Sequence, residues 1–218
     1  MRVENLIGKD FDEACQSLAK LAWDRLQPDL VIGVRRGGYY VMEAMRGWVE
    51  GRAAERGSAG IRPDDAAASA AARPPHFGAT LLQRSGNQVR SRSSKLLKKL
   101  PPWLCNALRI AESRLLTCRL KCRPTRLTDP NQIQFDPDSQ ALLQSGPQRI
   151  WVVDDAVDSG KTLASIQQKL QSYPQSHQVL YLALTQTQGH PLLQPDCCLF
   201  HGVLLRFPWS NDNKKPRS

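Results

Sequence analysis

IWVVDDAVDSGKT, residues 150–162, joins two demands that seldom meet in one loop. Ile150 to Val153 reads as a buried strand, being short, rich in β-branched residues and bounded by turn formers. It ends on adjacent carboxylates, Asp154 and Asp155. Just beyond, Asp158-Ser159-Gly160-Lys161-Thr162 reads as a turn into a helix start near Lys161. Backbone N–H groups there, with the hydroxyls of Ser159 and Thr162, form a nest for an anion. This is no nucleotide P-loop, because that motif needs a glycine where the chain has Asp155. Two carboxylates would repel a phosphate, so they must face hydroxyl donors or a divalent cation. A ligand with a phosphate at one end and a diol with Mg²⁺ at the other satisfies both ends, which describes a ribose 5-phosphate.

Working outward, the chain alternates strands and helices. FDEACQSLAKLAWDRL places Phe11, Cys15, Leu18, Ala22 and Leu26 at helical spacing, with Asp10 and Glu13 as a capping box and Pro28 as the stop. DLVIGV (29–34) reads as a buried strand, RRGG as its loop, and YYVMEAMRGWVE as a helix. Residues 51–75 are rich in Ala, Gly and Arg and predict a loop, weak helix or disordered linker. SSKLLKKLPPWLCNALRIAESRLLTCRLKCRP has helical spacing broken at Pro101–Pro102. Later strands are expected at RIWVV (149–153), QVLYLALT (178–185) and LFHGVLLRF (199–207). The alternation predicts an α/β fold with a parallel sheet flanked by helices, in which ligands bind at the carboxyl ends of strands. Both RRGG and DDAVDSGKT follow such ends.

Composition narrows the class. A chain of 218 residues with 41% hydrophobic content can build one core and an appendage. Its apolar runs are too short for a membrane span, and its N-terminus has charges where a signal peptide would be apolar. Six cysteines lack paired zinc-site spacing. They read as reduced thiols of a cytoplasmic protein. The net charge of +10 is concentrated: residues 84–126 hold twelve Lys or Arg and one acid, while the remainder holds eighteen basic and nineteen acidic residues. A basic surface appended to a near-neutral domain is implied.

VVDDAVDSGKT resembles the phosphoribosyl-pyrophosphate (PRPP) signature of type I phosphoribosyltransferases, and VIGVRRGG resembles their pyrophosphate loop. QPDCCLFHGVLLRFPWSND resembles the hood over the base in the purine-salvage (xanthine/hypoxanthine-guanine) branch. The resemblance implies the type I fold with a small C-terminal hood and a basic, partly helical insertion. It divides the chain into core parts at 1–50 and 146–212, a basic insertion and flexible region at 51–145, and a tail at 213–218. It implies an enzyme that displaces pyrophosphate from PRPP with a purine-like nucleobase, using Mg²⁺. Asp154 and Asp155 would hold the ribose hydroxyls, with Asp155 also near the metal. Asp158, Ser159, Gly160, Lys161 and Thr162 would bind the 5′-phosphate. Arg35, Arg36, Gly37 and Gly38 would take pyrophosphate, across a non-proline cis peptide that the family often has, here Arg35–Arg36. Asp158 would be the acid/base at the purine ring nitrogen, and Trp209 a stacking surface for the base. Where the family usually has a lysine reading the purine 6-oxygen, this chain offers Gln186 and Gln188, which can both donate and accept. His190 reads as an exposed loop residue.

The interval between Gly38 and Asp154 is longer than in compact relatives, contains the whole charge excess, and should hold the family's flexible loop, to which no position is assigned. One expectation is a solvated insertion whose arginines assist a polyanionic substrate. The other is a contact with nucleic acid or an acidic protein through Arg92, Lys95, Lys98, Lys99, Arg109, Arg114, Arg119 and Lys121. That makes the alternative function a regulator or effector held in a nucleic-acid-containing complex, for example a bacterial antiphage retron. A homo-oligomer or membership of a larger complex is expected in either case.

Overall fold

Alternation along the strands builds two cores at once. In β5 (Arg149–Val157), Trp151 and Val153 enter one core while Ile150 and Val152 enter the other. The computed structural model describes residues 2–34, 36–58, 74–82, 111 and 132–210. Five of its further strands lie in the same sheet as β5: β2 (Leu30–Gly33), β3 (His76–Leu82), β4 (Ile133–Phe135), β6 (Gln178–Gln186) and β7 (Cys197–His201). Their order is β4-β3-β2-β5-β6-β7, parallel throughout except for the β3–β4 pair. Helices α1 (Lys9–Trp23) and α2 (Gly37–Ser58) supply one core. Helices α3 (Pro137–Ser145) and α4 (Lys161–Gln171) supply the other. A two-stranded parallel hood joins β1 (Arg2–Asn5) to β8 (Val203–Arg206).

The α1 stripe is buried as its spacing requires, with Phe11, Cys15, Leu18 and Ala22 all in the core. A fully buried leucine such as Leu18 contributes about 1.5–3 kcal/mol. The capping box is not what starts this helix. Gly8, at φ 60°, is the N-cap, and Phe11 N–H donates to Gly8 O at 3.0 Å. Asp10 and Asp12 instead fall within the first turn, where negative charge complements the helix dipole.

At the amino ends of β2 and β5, Arg149 clamps Asp29. Its guanidinium donates to both carboxylate oxygens, at 2.9 and 2.5 Å, and its backbone N–H adds a third bond at 3.0 Å. Burial alone would raise the Asp29 pKa, but the hydrogen bonds and charge of Arg149 outweigh it and hold the carboxyl below its ordinary value. Above this clamp Trp151 is fully buried and donates its indole N–H to Leu26 O at 2.7 Å, edge-on to Trp23.

Several elements differ from the sequence expectation. α2 runs on to Ser58, helped by helix-forming Ala53 and Ala54 and an Arg52–Glu55 pair one turn apart. β3, β4 and α3 all fall inside the interval 51–145, so part of that interval is core rather than insertion. α3 starts at Asp136, whose carboxylate accepts from Ser139 N–H at 3.0 Å, with Pro137 in the first turn. The single strand expected at 199–207 is two: Gly202, at φ 68°, turns the chain out of the main sheet and into the hood. The helix expected around Pro101–Pro102 lies outside the described residues.

Two glycines of α2 have opposite roles. A Cβ on Gly38 would collide with the Val153 carbonyl and sit 2.9 Å from Asp154 Cα, both backbone atoms, whereas one on Gly47 would meet nothing within 4 Å. Gly47→Ala should therefore stabilise the protein by about 0.4–1 kcal/mol. Gly38→Ala should cost at least the ~1–3 kcal/mol of ordinary overpacking. Urea denaturation of both variants measures the difference, and equal effects would contradict the packing described here.

Candidate functional site

The sheet reverses its direction of winding between β2 and β5: from β2 the chain proceeds to β3 on one side, and from β5 to β6 and β7 on the other. Loops leaving the carboxyl ends of two such strands diverge and open a crevice. The two candidate loops are the ones at this point. Val34 N–H donates to Val153 O at 2.8 Å and Tyr39 N–H to Val34 O at 3.1 Å, so the chain doubles back into α2 against β5. Gly37 then lies against Asp155 so closely that a Cβ would overlap its carboxylate. Arg36 is exposed. Arg35, and with it the peptide bond joining the two arginines, lies outside the described residues.

Asp154 is buried, and its Oδ1 accepts the Asp155 N–H at 2.9 Å. Its pKa is raised well above the ordinary carboxylate value, first by burial and then by the negative charge of Asp155. Asp155 is also raised by burial, but hydrogen bonds from Asp154 and from the Trp209 indole offset part of the rise. The neutral form is favoured at this strand end because two carboxyls share one poorly solvated space. Trp209 Nε1 donates to Asp155 Oδ2 at 3.2 Å. Its ring stacks on Tyr40 at 4.8 Å and on Phe207 at 4.9 Å, and meets Phe11 edge-on at 5.4 Å. Tyr40, 49% exposed, is the member of this cluster most open to solvent.

At the far side of the loop, α4 begins without a side-chain cap, from Gly160 in the left-handed region at φ 69°. A Cβ there would also stand 2.5 Å from Leu193 O, so glycine is required on two grounds. Ser159 O accepts from Leu192 N–H at 2.8 Å, which holds the following loop against the turn. Uncapped N–H groups at the start of an eleven-residue helix favour an anion. Ser159, Lys161 and Thr162 surround them and are partly exposed.

Asp158 is exposed and accepts a hydrogen bond from the Thr187 hydroxyl. Gln186 is buried, with its amide donating to Gln188 O at 2.8 Å. His190 is exposed. Thus Gly37 and Trp209 each contact Asp155, and Asp158 is tied to the residue that follows β6. The basic residues Arg92, Lys95, Lys98, Lys99, Arg109, Arg114, Arg119 and Lys121 lie outside the described residues. Tyr40 and Thr187 were not expected at the site. Tyr40 could have been suspected from its place two residues after the glycines, while Thr187 has no local signal.

One His/Asp group among the described residues, His76, Asp136 and Asp138, brings possible ligand atoms within 4.8 Å of one another. It does not belong to this crevice. His76 is level with Leu30 and hence with Ile150, five residues below Asp155, or about 16 Å at ~3.3 Å per residue. Asp136 is occupied there as the α3 cap, accepting from Ala79, Ser139 N–H and the Ser139 hydroxyl.

No family model and no curated protein matches the chain. Solved structures do. A purine phosphoribosyltransferase from Pyrococcus horikoshii Ot3 aligns over 100% of this chain and 99% of its own, with a TM-score of 0.52 at 15% identity. A hypothetical protein from Neisseria gonorrhoeae with bound ppGpp covers 95% and 89%, at 0.52 and 13%. The Helicobacter pylori xanthine-guanine-hypoxanthine phosphoribosyltransferase covers 95% and 92%, at 0.50 and 12%. The fold is that of the type I phosphoribosyltransferases. Among the described residues no helix is long and apolar enough to cross a membrane.

The buried acid pair makes a pH-dependent stability difference. Because the folded-state pKa of Asp154 is raised, its stabilising contribution is complete below the unfolded value near 4 and is lost as pH rises through the folded one. Asp154→Asn keeps an acceptor for Asp155 N–H and has nothing to ionise. It should raise the Tm at pH 8, with the gain shrinking toward pH 4. A gain that is flat across that range, measured by thermal melts, would show that ionisation of Asp154 is not the cost.

Proposed function

We propose that this chain is a phosphoribosyltransferase that transfers phosphoribosyl between PRPP and a purine-like base, releasing pyrophosphate. The observation that carries the reading is the pairing of an acid couple and an uncapped helix start on one strand end at the switch point. Asp154 and Asp155 accept the ribose 2′- and 3′-hydroxyls, and the N–H groups from Ser159 to Thr162 take the 5′-phosphate. The Arg35-Arg36-Gly37-Gly38 turn takes the pyrophosphate.

These grips hold C1 at a fixed distance from the hood, where the base enters beside Tyr40 and Trp209. As the ring nitrogen bonds to C1, the C1–O bond breaks and its electron pair leaves with pyrophosphate. Asp158 accepts the ring proton. Holding both phosphate ends before reaction lowers the entropic part of the barrier. The donor set suits Mg²⁺: a hard carboxylate oxygen of Asp155 would hold a divalent cation, whose charge relieves the repulsion from the neighbouring acid. When bound, the ion would neutralise charge on the departing pyrophosphate. Gln186 and Gln188 replace a lysine at the base edge, so a 6-oxo group would be read by an amide.

A second reading has its own support. All the positive excess lies at 84–126. The chain departs beyond Leu82 and returns at Ile133, the paired ends of antiparallel strands, at the end of the sheet where the crevice opens. A polycation tethered there could serve a regulator that binds RNA or DNA. Asp154→Ala and Asp155→Ala should each reduce PRPP-dependent pyrophosphate release at least about 100-fold. A wild-type protein that binds PRPP yet turns over no base in a broad panel would exclude salvage and leave the regulator. In that case, neutralising Arg92, Lys95, Lys98 and Lys99 should lower the salt slope of single-stranded RNA binding by about 3. An unchanged slope in a filter-binding titration would remove the nucleic-acid reading.

A further inference from the structure

The end of β6 and the residue after it carry three buried polar side chains, Thr185, Gln186 and Thr187, and each is hydrogen bonded, as burial requires. Thr185 Oγ1 donates to Val203 O of the hood at 2.7 Å, and Gln186 Nε2 to Gln188 O at 2.8 Å. Thr187 Oγ1 donates to Asp158 Oδ1. Sheet register dictates the last contact. Val157 is paired with Gln186, so the next residues, Asp158 and Thr187, come opposite each other one step past the ladder. The Thr187 N–H continues that ladder by donating to Val157 O at 3.0 Å.

The backbone bond already ties the two strand ends together. The hydroxyl is therefore not needed to join them, and what it adds is a fixed orientation for an otherwise exposed carboxylate. A carboxylate free to rotate presents two equivalent oxygens over many orientations. One with Oδ1 engaged presents Oδ2 in a narrow range, which removes that freedom before reaction.

We propose that Thr187 is the positioning residue for Asp158: its hydroxyl occupies Oδ1 and leaves Oδ2 as the oxygen that exchanges the proton of the base. This rests on the phosphoribosyltransferase reading. In the forward direction the ring nitrogen's lone pair forms the bond to C1 and the C1–O pair departs with pyrophosphate. The N–H proton passes to Oδ2. Because the same strand end also bonds the hood through Thr185, the base's cover and its proton acceptor are registered by one short segment.

The test uses the full chain carrying Thr187→Val, Thr187→Ser, Asp158→Asn and the Val/Asn double change. Valine keeps the shape and removes the donor, whereas serine keeps the donor. Thr187→Val should lower kcat about tenfold while KM for PRPP stays within about twofold. Thr187→Ser should retain most of the activity. In the double variant the valine should add no loss to that of Asp158→Asn, because its effect passes through the carboxylate. A valine effect of the same size with and without Asp158 would overturn the proposal. So would a parallel rise in KM for PRPP, or a serine variant as impaired as the valine one.

Calorimetric titration with ribose 5-phosphate and with 6-oxopurine nucleoside 5′-monophosphates gives the same cycle without turnover. Non-additive weakening of nucleotide binding, with ribose 5-phosphate unaffected, supports the proposal, and additive weakening overturns it. If the wild-type protein fails to bind ribose 5-phosphate, the phosphoribosyltransferase reading has failed and the proposal falls with it.

Discussion

The contact of α2 with β5 at Gly37 and Gly38 is the constraint on which the site depends. Side chains at these positions would occupy the space of the Asp155 carboxylate and of the Val153 carbonyl. Their absence lets a helix start directly against a strand end, so backbone from one loop meets carboxylates from the other. Gly33 extends the same logic. A Cβ there would stand 2.8 Å from Tyr39 Cα, so the strand and the returning helix share one narrow layer. The crevice is set by backbone packing.

Asp155 is where three separate parts of the chain converge. The Gly37 backbone touches it from α2, the Asp154 carboxylate accepts its N–H within β5, and the Trp209 indole donates to it from the hood. Tyr40, in the first turn of α2, stacks on that same indole. A group that engages Asp155 therefore acts on the hood through one hydrogen bond and a ring stack. Coupling of this kind needs no long pathway, since each step is a direct contact.

Legibility from sequence followed locality. The motif Asp154–Thr162 could be read because its chemistry is contiguous, α1 because its apolar residues recur at helical spacing, and β5 because it is a short β-branched run bounded by turn formers. β3 was missed because HFGATLL follows two prolines and carries a glycine whose reason is distant: a Cβ on Gly78 would collide with Ser139 and Asp136. β4 is three residues long and has no period to detect. The stretch 199–207 looked like one strand because its residues are uniformly β-prone, and only the backbone of Gly202 divides it. Trp209 was expected as a stacking surface for a base. Its packing against Tyr40, Phe207 and Phe11 comes from positions far apart in the chain, which no window of sequence contains.

Stability and ligand binding pull in opposite directions at this site. Two adjacent carboxylates in a poorly solvated strand end are costly, as the raised pKa values of both express. α4 forgoes a side-chain cap that would ordinarily contribute about 1 kcal/mol. An apolar strand end with a capped helix would be the more stable arrangement. The costs share one remedy, a ligand with hydroxyls or a cation for the acids and an anion for the helix. Such a ligand at a hundred times its Kd would add about 2.7 kcal/mol to the folded state. The acid pair and the uncapped helix start are separated by only four residues of the same chain, so one ligand can relieve both costs.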